Sequence, residues 1–332
     1  MRIRPSSARW VQNGMTLIEM IIALAIGAFM MLGAVSLFLQ SHTSFLQDEE
    51  TARLQENGRW ALRLVSREIS MAGFFGGMMD ATGITTTLTV AGDCDTNWAL
   101  SPGPGMEHLD NPSASAAAAA LSCLTNVDLL AGSDVVAVKR VKDTAHVFDG
   151  NQSAAPTAPT IYLRVEEYGA NSSFVKGSSL TTADKTAGSM VDVWEYQPQI
   201  FFIRDYSFTD GDNIPTLCRR RLTRNEATLA MDSVECLVEG IENMQVEFGI
   251  DTSTPFDYSP DYYDASPTSA ELSRAVAAKV YLLARSVQPV AGYTDDRSYQ
   301  LGTTTIAAAN DRFYRKVFQT TVMFRNSGAF GF

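Results

Sequence analysis

The chain has 332 residues, 26 Lys and Arg against 37 Asp and Glu, and a formal net charge of −11. That length supports a large core or two modest lobes beyond any membrane segment. So acidic a surface repels nucleic-acid phosphate over most of its area, which makes a nucleic-acid partner a poor fit.

The first element in chain order is a short cationic leader with Arg2, Arg4 and Arg9. The sequence Gly14-Met15-Thr16-Leu17-Ile18-Glu19 follows, and then the uncharged run Met20–Leu39. Arginines before an apolar span stay cytoplasmic, so the remainder of the chain is expected to be exported. A lone carboxylate at the mouth of such a span costs roughly 2.5–3.5 kcal/mol even on lenient insertion scales, so Glu19 needs a partner. A secretory signal would place its small-residue cleavage site after a shorter apolar core. A plain anchor explains Met20–Leu39 but not Glu19.

Residues 15–72 read as one helix. Its transmembrane part, 15–39, is about 37 Å long at ~1.5 Å per residue. Gly27, Ala28, Gly33 and Ala34 let neighbouring helices approach closely. Further along, Leu54, Ala61, Leu64, Val65, Ile69 and Ala72 recur at helical spacing, with Arg53, Glu56, Arg63, Arg67 and Glu68 on other faces. Gly58 within this stretch marks a bend or a close contact, and Gly73, with Gly76 and Gly77, is the stop.

Strand-like runs follow at Ile84–Val90, Asp134–Val141, Thr160–Glu166, Ile200–Phe208, Ile241–Ile250, Ala275–Arg285 and Val317–Phe324. In the fifth, Gln245, Glu247 and Gly249 alternate with Val246, Phe248 and Ile250, as in a half-buried strand. Ser113–Ala120 and Asn151–Thr160 are low-complexity patches expected on the surface. The expected fold is therefore α+β: a long N-terminal helix, membrane-spanning in its first half, packed on an antiparallel β-rich globular domain. Its parts are residues 1–14 as leader, 15–72 as spine helix and 73–332 as exported domain.

Cys94, Cys123, Cys218 and Cys236 all lie on the exported side, and an even count in an oxidising compartment reads as two disulfides. Three pairings are open; the sequential one, Cys94–Cys123 and Cys218–Cys236, closes the shortest loops and is the expected one. With no Cys-x-x-Cys and with His42, His108 and His146 scattered, a zinc site is disfavoured and each histidine is expected at the surface. No nucleophile elbow and no phosphate-cradling loop occurs, Gly103-Pro104-Gly105 being a turn, so no enzyme, no small-molecule substrate and no cofactor are expected. Two clusters remain. Asp251, Asp257, Asp261 and Asp264 could offer oxygen ligands to calcium, though their spacing is not that of an EF-hand and a solvated acidic turn explains them as well. Arg219-Arg220-Arg221 with Arg224 could meet DNA or an acidic subunit, and otherwise forms a solvated strand edge.

The Gly14 to Glu19 motif resembles the processing site of type IV prepilins. In that family a peptidase cuts after the glycine, here between Gly14 and Met15, and methylates the new terminus, here Met15; Glu19 becomes the fifth mature residue. Removing the leader leaves 23 basic against 37 acidic side chains. Later segments resemble the PilW type of minor pilin: Gly58-Arg59-Trp60-Ala61-Leu62-Arg63-Leu64, Gly132-Ser133-Asp134-Val135-Val136, Val238-Glu239-Gly240-Ile241-Glu242-Asn243-Met244, and Val317-Phe318-Gln319-Thr320-Thr321-Val322. The resemblance implies a minor pilin that primes pilus assembly near the tip. It implies as partners prepilin peptidase, sibling minor pilins, the major pilin, a large tip adhesin and the membrane. It also implies a single pass through the inner membrane, with a periplasmic domain, before the chain enters the pilus. A type II secretion pseudopilin resembling the J subunit stays open, as does an adhesin module carried on a pilin stalk through Asp93–Asn126 or residues 251–264.

Overall fold

In a computed structural model the described residues are 14–76, 78, 81, 83–103, 105–157, 160–169, 171–222, 229–231 and 233–326. Arg2, Arg4, Arg9, Gly77, Pro104 and Arg224 lie outside them. The chain divides into two compact units, one ending at Glu49 and the other starting at Glu50. Helix α1, Leu17–Ser70, contributes to both.

In the first unit the apolar side chains from Met15 to Leu46 are exposed, and α1 is the one helix among the described residues long and apolar enough to cross a membrane. Two of its hydroxyls return to the helix: Ser36 Oγ donates to the Gly33 carbonyl at 2.8 Å and Thr43 Oγ1 to the Leu39 carbonyl at 2.9 Å. Such back-bonding keeps hydroxyls satisfied where water is absent.

The second unit begins with the outer part of α1, whose buried stripe is Leu54, Gly58, Ala61, Val65 and Ile69. These fall at steps of three and four, one face of a helix. The helix stops two residues before the expected Ala72, and Gly73 takes a left-handed φ of 71° that costs a side-chain-free residue nothing.

One sheet is built from β1 (Met106–Leu109), β2 (Val135–Val141), β3 (Val147–Phe148), β4 (Asn151–Gln152), β5 (Ile161–Glu166), β6 (Ser173–Lys176), β7 (Val191–Arg204), β8 (Thr216–Arg221) and β9 (Glu235–Glu239). Its pairings between strands are antiparallel, and β7 is its axis. The first half of β7 pairs with β5, and the second half lies between β2 and β8. Pro198 sits where one partner gives way to the other. Opposite it, Lys139 turns its N–H to Gly105 and its carbonyl to Gly73, so the Pro198 nitrogen faces away from β2, into the gap between the last residue that β5 pairs and the first that β8 pairs. Helix α2, Ala114–Ala120, starts on a Ser113 cap, so that low-complexity patch is ordered helix.

The second sheet contains β10 (Ile241–Ile250), β11 (Tyr262–Asp264) and β12 (Ala275–Arg285), the last preceded by the short α3 (Ser269–Leu272). After a small hairpin, β13 (Tyr299–Leu301) with β14 (Thr304–Ile306), strand β15 (Arg315–Met323) completes the order β11-β10-β12-β15. Val136, Val138, Phe201 and Ile203 from the first sheet, Met244, Val246, Phe248, Val280 and Leu282 from the second, and the α1 stripe form one core. Each fully buried large apolar side chain there is worth about 1.5–3 kcal/mol. The other face of the first sheet, with Val135, Ala137, Ile200 and Phe202, is covered by the chain around Trp98, Leu100, Leu121 and Leu124.

Several expectations need correction. Ile84–Val90 is not a strand; a single bridge, Thr85 to Ser173, is all it forms. Ile200–Phe208 is the end of a strand that starts at Val191 and stops at Arg204. Strand β10 is not half-buried: Gln245 and Glu247 are covered by the β13–β14 hairpin, which bonds them through Thr304 Oγ1 (2.9 Å) and the Thr303 amide (2.8 Å).

Candidate functional site

Gly14, Met15 and Thr16 lead exposed into the first turn of α1. A Cβ placed on Gly14 would meet nothing within 4 Å, so its own fold does not demand glycine there. Thr16 and Glu19 meet across the turn. The Thr16 amide and hydroxyl both donate to Glu19 Oε2 at 2.8 Å, and the Glu19 amide donates back to Thr16 Oγ1 at 3.3 Å. This is a capping box, readable as Thr-x-x-Glu ahead of an apolar run, and sequence reasoning that treated Glu19 alone missed Thr16. The same chain repeats the arrangement at α3, where Thr268 and Glu271 exchange bonds of 2.9, 2.7 and 3.3 Å. Among the described residues Glu19 Oε1 receives no hydrogen bond, which leaves one carboxylate oxygen for a donor from elsewhere.

Farther along, three contacts seat the outer part of α1 on its unit. A Cβ on Gly58 would collide with the Phe318 ring, so this glycine serves close packing. Glu68 accepts from Arg140 through Nε (2.7 Å) and Nη2 (2.8 Å), and from Gln199 Nε2 (2.7 Å). A carboxylate near a helix C-terminus opposes the helix dipole, and the paired guanidinium offsets that. Glu50 accepts from the Val287 and Gln288 amides at 3.2 and 3.1 Å.

The cysteines are bonded Cys94 to Cys123 and Cys218 to Cys236. The first bond ties together the layer that covers the first sheet, where Trp98, Ala99, Leu100 and Leu121 are buried, so much of Asp93–Asn126 is committed to packing. The second joins β8 to β9.

The acidic loop does not fit a calcium cage. Asp251 accepts from the Ser253, Asp257 and Tyr258 amides, Asp261 from Thr252, Asp257 from Ser259 and Asp264 from Ser266. Each carboxylate closes its own turn, and among the described residues no group of three or more His, Cys, Asp or Glu could hold a metal ion.

The arginine run is not a solvated edge, because β8 lies between β7 and β9. Arg219 reaches Glu235 at 3.0 Å and Gln199 at 3.1 Å, Arg220 bonds the Cys123 carbonyl, and Arg221 approaches Glu235 at 3.2 Å. Two histidines also depart from expectation. His108 is buried beside Asp134 at 3.0 Å, and Asp134 in turn accepts from the Asn111 and Val246 amides; His146 is partly buried 3.6 Å from Glu195. Both belong to the packing between strands. His42 is exposed.

Residues 200–326 match the family model described as Type IV Pilus-assembly protein W, and residues 11–35 match the Prokaryotic N-terminal methylation motif. Among solved structures the chain is similar to the Type IV-like pilin TTHA1219 from Thermus thermophilus. The identity is 12% over 83% of this chain and 97% of that one, with a TM-score of 0.37. No curated protein matches. The motif implies processing by prepilin peptidase, anchoring in a membrane by the apolar helix, and association with other pilins in a pilus. The chain thus joins a prepilin-type methylation motif at the head of α1 to a PilW-like region that runs from within β7 past β15.

Proposed function

We propose that this chain is a minor pilin that primes assembly of a type IV pilus and sits near its tip. Its parts are a leader, 1–14, a spine helix, 15–72, and an exported domain, 73–332. The chain is cut between Gly14 and Met15 and methylated on Met15. Residues 15–39 hold it in the inner membrane with residues 73–332 in the periplasm until it enters the filament. Sibling minor pilins and the major pilin are its partners there, with a large tip adhesin alongside them.

The observation that carries this reading is the head of α1. Gly14 borders open space in the chain's own fold, and this supports a role for it outside that fold, toward an enzyme approaching the scissile bond. Glu19 satisfies one oxygen on Thr16 and keeps the other for a cation. Within hydrocarbon the cation that fits is the amino terminus of a Met15, which stays charged when methylated; the two opposite charges offset much of each other's cost. Among the described residues the acid and base clusters hold strands together, which fits a structural role for the domain. The J-type pseudopilin reading shares the motif but predicts secretion rather than pili. The test is the mass and location of the native protein. Membrane-extracted chain should begin at N-methylated Met15 and recur in sheared pili. A chain that keeps residues 1–14, or that is mature yet absent from pili while secretion depends on it, refutes the reading.

A further inference from the structure

The outer edge of β15 is an unguarded template. Its register with β12, together with the bond from the Phe324 amide to the Val276 carbonyl (2.9 Å), places Lys316, Phe318, Thr320 and Val322 in the hydrogen-bonded pairs. Val317, Gln319, Thr321 and Met323 therefore turn N–H and C=O away from β12. Among the described residues no strand pairs with that side. From Val317 to Met323 the sequence has no charge, no Pro and no Gly, and Met323 is 53% exposed.

The other edges of this fold are managed. Strands β1, β4, β6 and β11 have four residues or fewer. Strand β9 carries Glu235 and Glu239 and gives the Glu239 carbonyl to Asn57 Nδ2 at 3.0 Å. A long, neutral, β-prone edge in an otherwise acidic protein invites pairing and aggregation unless something covers it.

We propose that β15 is a docking edge, which an extended strand of a neighbouring pilin-like chain joins by backbone pairing through Val317, Gln319, Thr321 and Met323. This rests on the reading of the chain as a minor pilin. The edge is continuous with the outer part of α1, since Phe318 packs on Gly58 and the Arg325 amide bonds the Ser70 carbonyl at 3.1 Å. A neighbour that packs along the same helix would lie beside this edge. Filaments grow by head-to-tail contacts in which the surface given differs from the surface received, so the added strand comes from a different surface. For a minor subunit that surface belongs to a different chain. The added strand supplies main-chain bonds, and the uncharged side chains of the edge set its character.

The test uses the full chain in its own cells, with a photo-crosslinking residue at Thr321 and a control at Phe208, which is 95% exposed. Thr321 should capture a second chain that carries a prepilin motif, at a β-strand peptide, and Phe208 should not. Gln319→Pro deletes an N–H that β12 does not use, and it should cut that capture about tenfold or more. Where that variant fails to fold, Gln319→Lys places a charge on the edge and should do the same. Capture of a second copy of this chain, of a non-pilin protein, or capture unchanged by both variants overturns the inference. Absence of any capture while the chain still enters sheared pili overturns it and leaves the minor-pilin reading standing. A chain absent from pili altogether refutes both.

Discussion

Thr16 and Glu19 close a capping box at the first turn of α1, with the Thr16 amide and hydroxyl each 2.8 Å from one carboxylate oxygen. Glu19 therefore has two separable properties, its shape as a helix cap and its charge. A glutamine can serve the same box, so the two can be pulled apart.

Processing should depend on Gly14. Gly14→Glu removes no contact, because the position borders open space. It should nevertheless stay full length, because the peptidase must bring its catalytic groups close to the backbone. Intact-mass measurement of the membrane-extracted variant decides this, and normal loss of residues 1–14 would contradict the assigned cleavage site.

Gly58 should be intolerant of a methyl group. Gly58→Ala gains about 1 kcal/mol of helix propensity, but forcing a Cβ against the Phe318 ring costs about 1–3 kcal/mol. The net effect expected in thermal melts of the full chain is a loss, recovered when Phe318→Leu is added. A more stable single variant would show that the ring moves freely.

Much of the fold was legible. Strands β10 and β12 were expected with the bounds observed, because each is long and dense in β-branched and apolar residues. The position of Arg219 to Arg221 between two strands, rather than on an edge, was not legible, because their charges are satisfied by Glu235, Gln199 and the Cys123 carbonyl, partners that no local pattern reveals. Pro198 hid the first half of β7, since its harmlessness depends on a change of partner strand. Gln245 and Glu247 looked solvent-facing because the hairpin that covers them lies more than fifty residues on. At the head of α1 the residue types were visible, and only Thr16 was overlooked.

Non-reducing peptide maps of exported protein should recover Cys94 with Cys123 and Cys218 with Cys236. In the chain-entropy model a closed loop of ~15 residues contributes about 3 kcal/mol and a longer one slightly more. Reduction should lower the midpoint of unfolding, and crossed linkages would contradict the described layer.

Arg315 is buried among Glu242, Asp311 and Asp295, at 2.6, 2.6 and 3.2 Å. Hydrogen bonding from Arg315 holds the Asp311 carboxyl below the usual range, and its stabilising effect is present above the ordinary value near pH ~4 and lost as pH falls below it. Arg315→Met should cost about 3–5 kcal/mol at neutral pH by stranding carboxylates. Asp311 and Asp295 then lose the Arg315 hydrogen bonds that help hold their carboxyls low, so the deficit should shrink as pH falls from 7 toward 4. A deficit that is constant with pH would assign the loss to packing instead.

Asp212 offers a second acid-sensitive site. Partial desolvation pushes its carboxyl up, but amides of Ile214, Ser207, Phe208 and Thr209 outweigh that and hold it down to about 2. Its contribution is full above pH ~4 and disappears between about 4 and 2, so Asp212→Asn should flatten acid unfolding over that window. An unchanged acid profile would mean the turn is equally formed in the unfolded chain.

The most direct test of the account is Glu19→Gln in a strain with no other copy of this gene. The substitution keeps the cap to Thr16 and removes only the charge. Cleavage after Gly14 and membrane insertion should proceed as in the native chain, while the protein is lost from sheared pili and piliation falls toward that of a deletion. Native abundance of the Glu19→Gln variant in normal surface pili would show that the cap alone suffices and that Glu19 carries no charge-dependent assembly role.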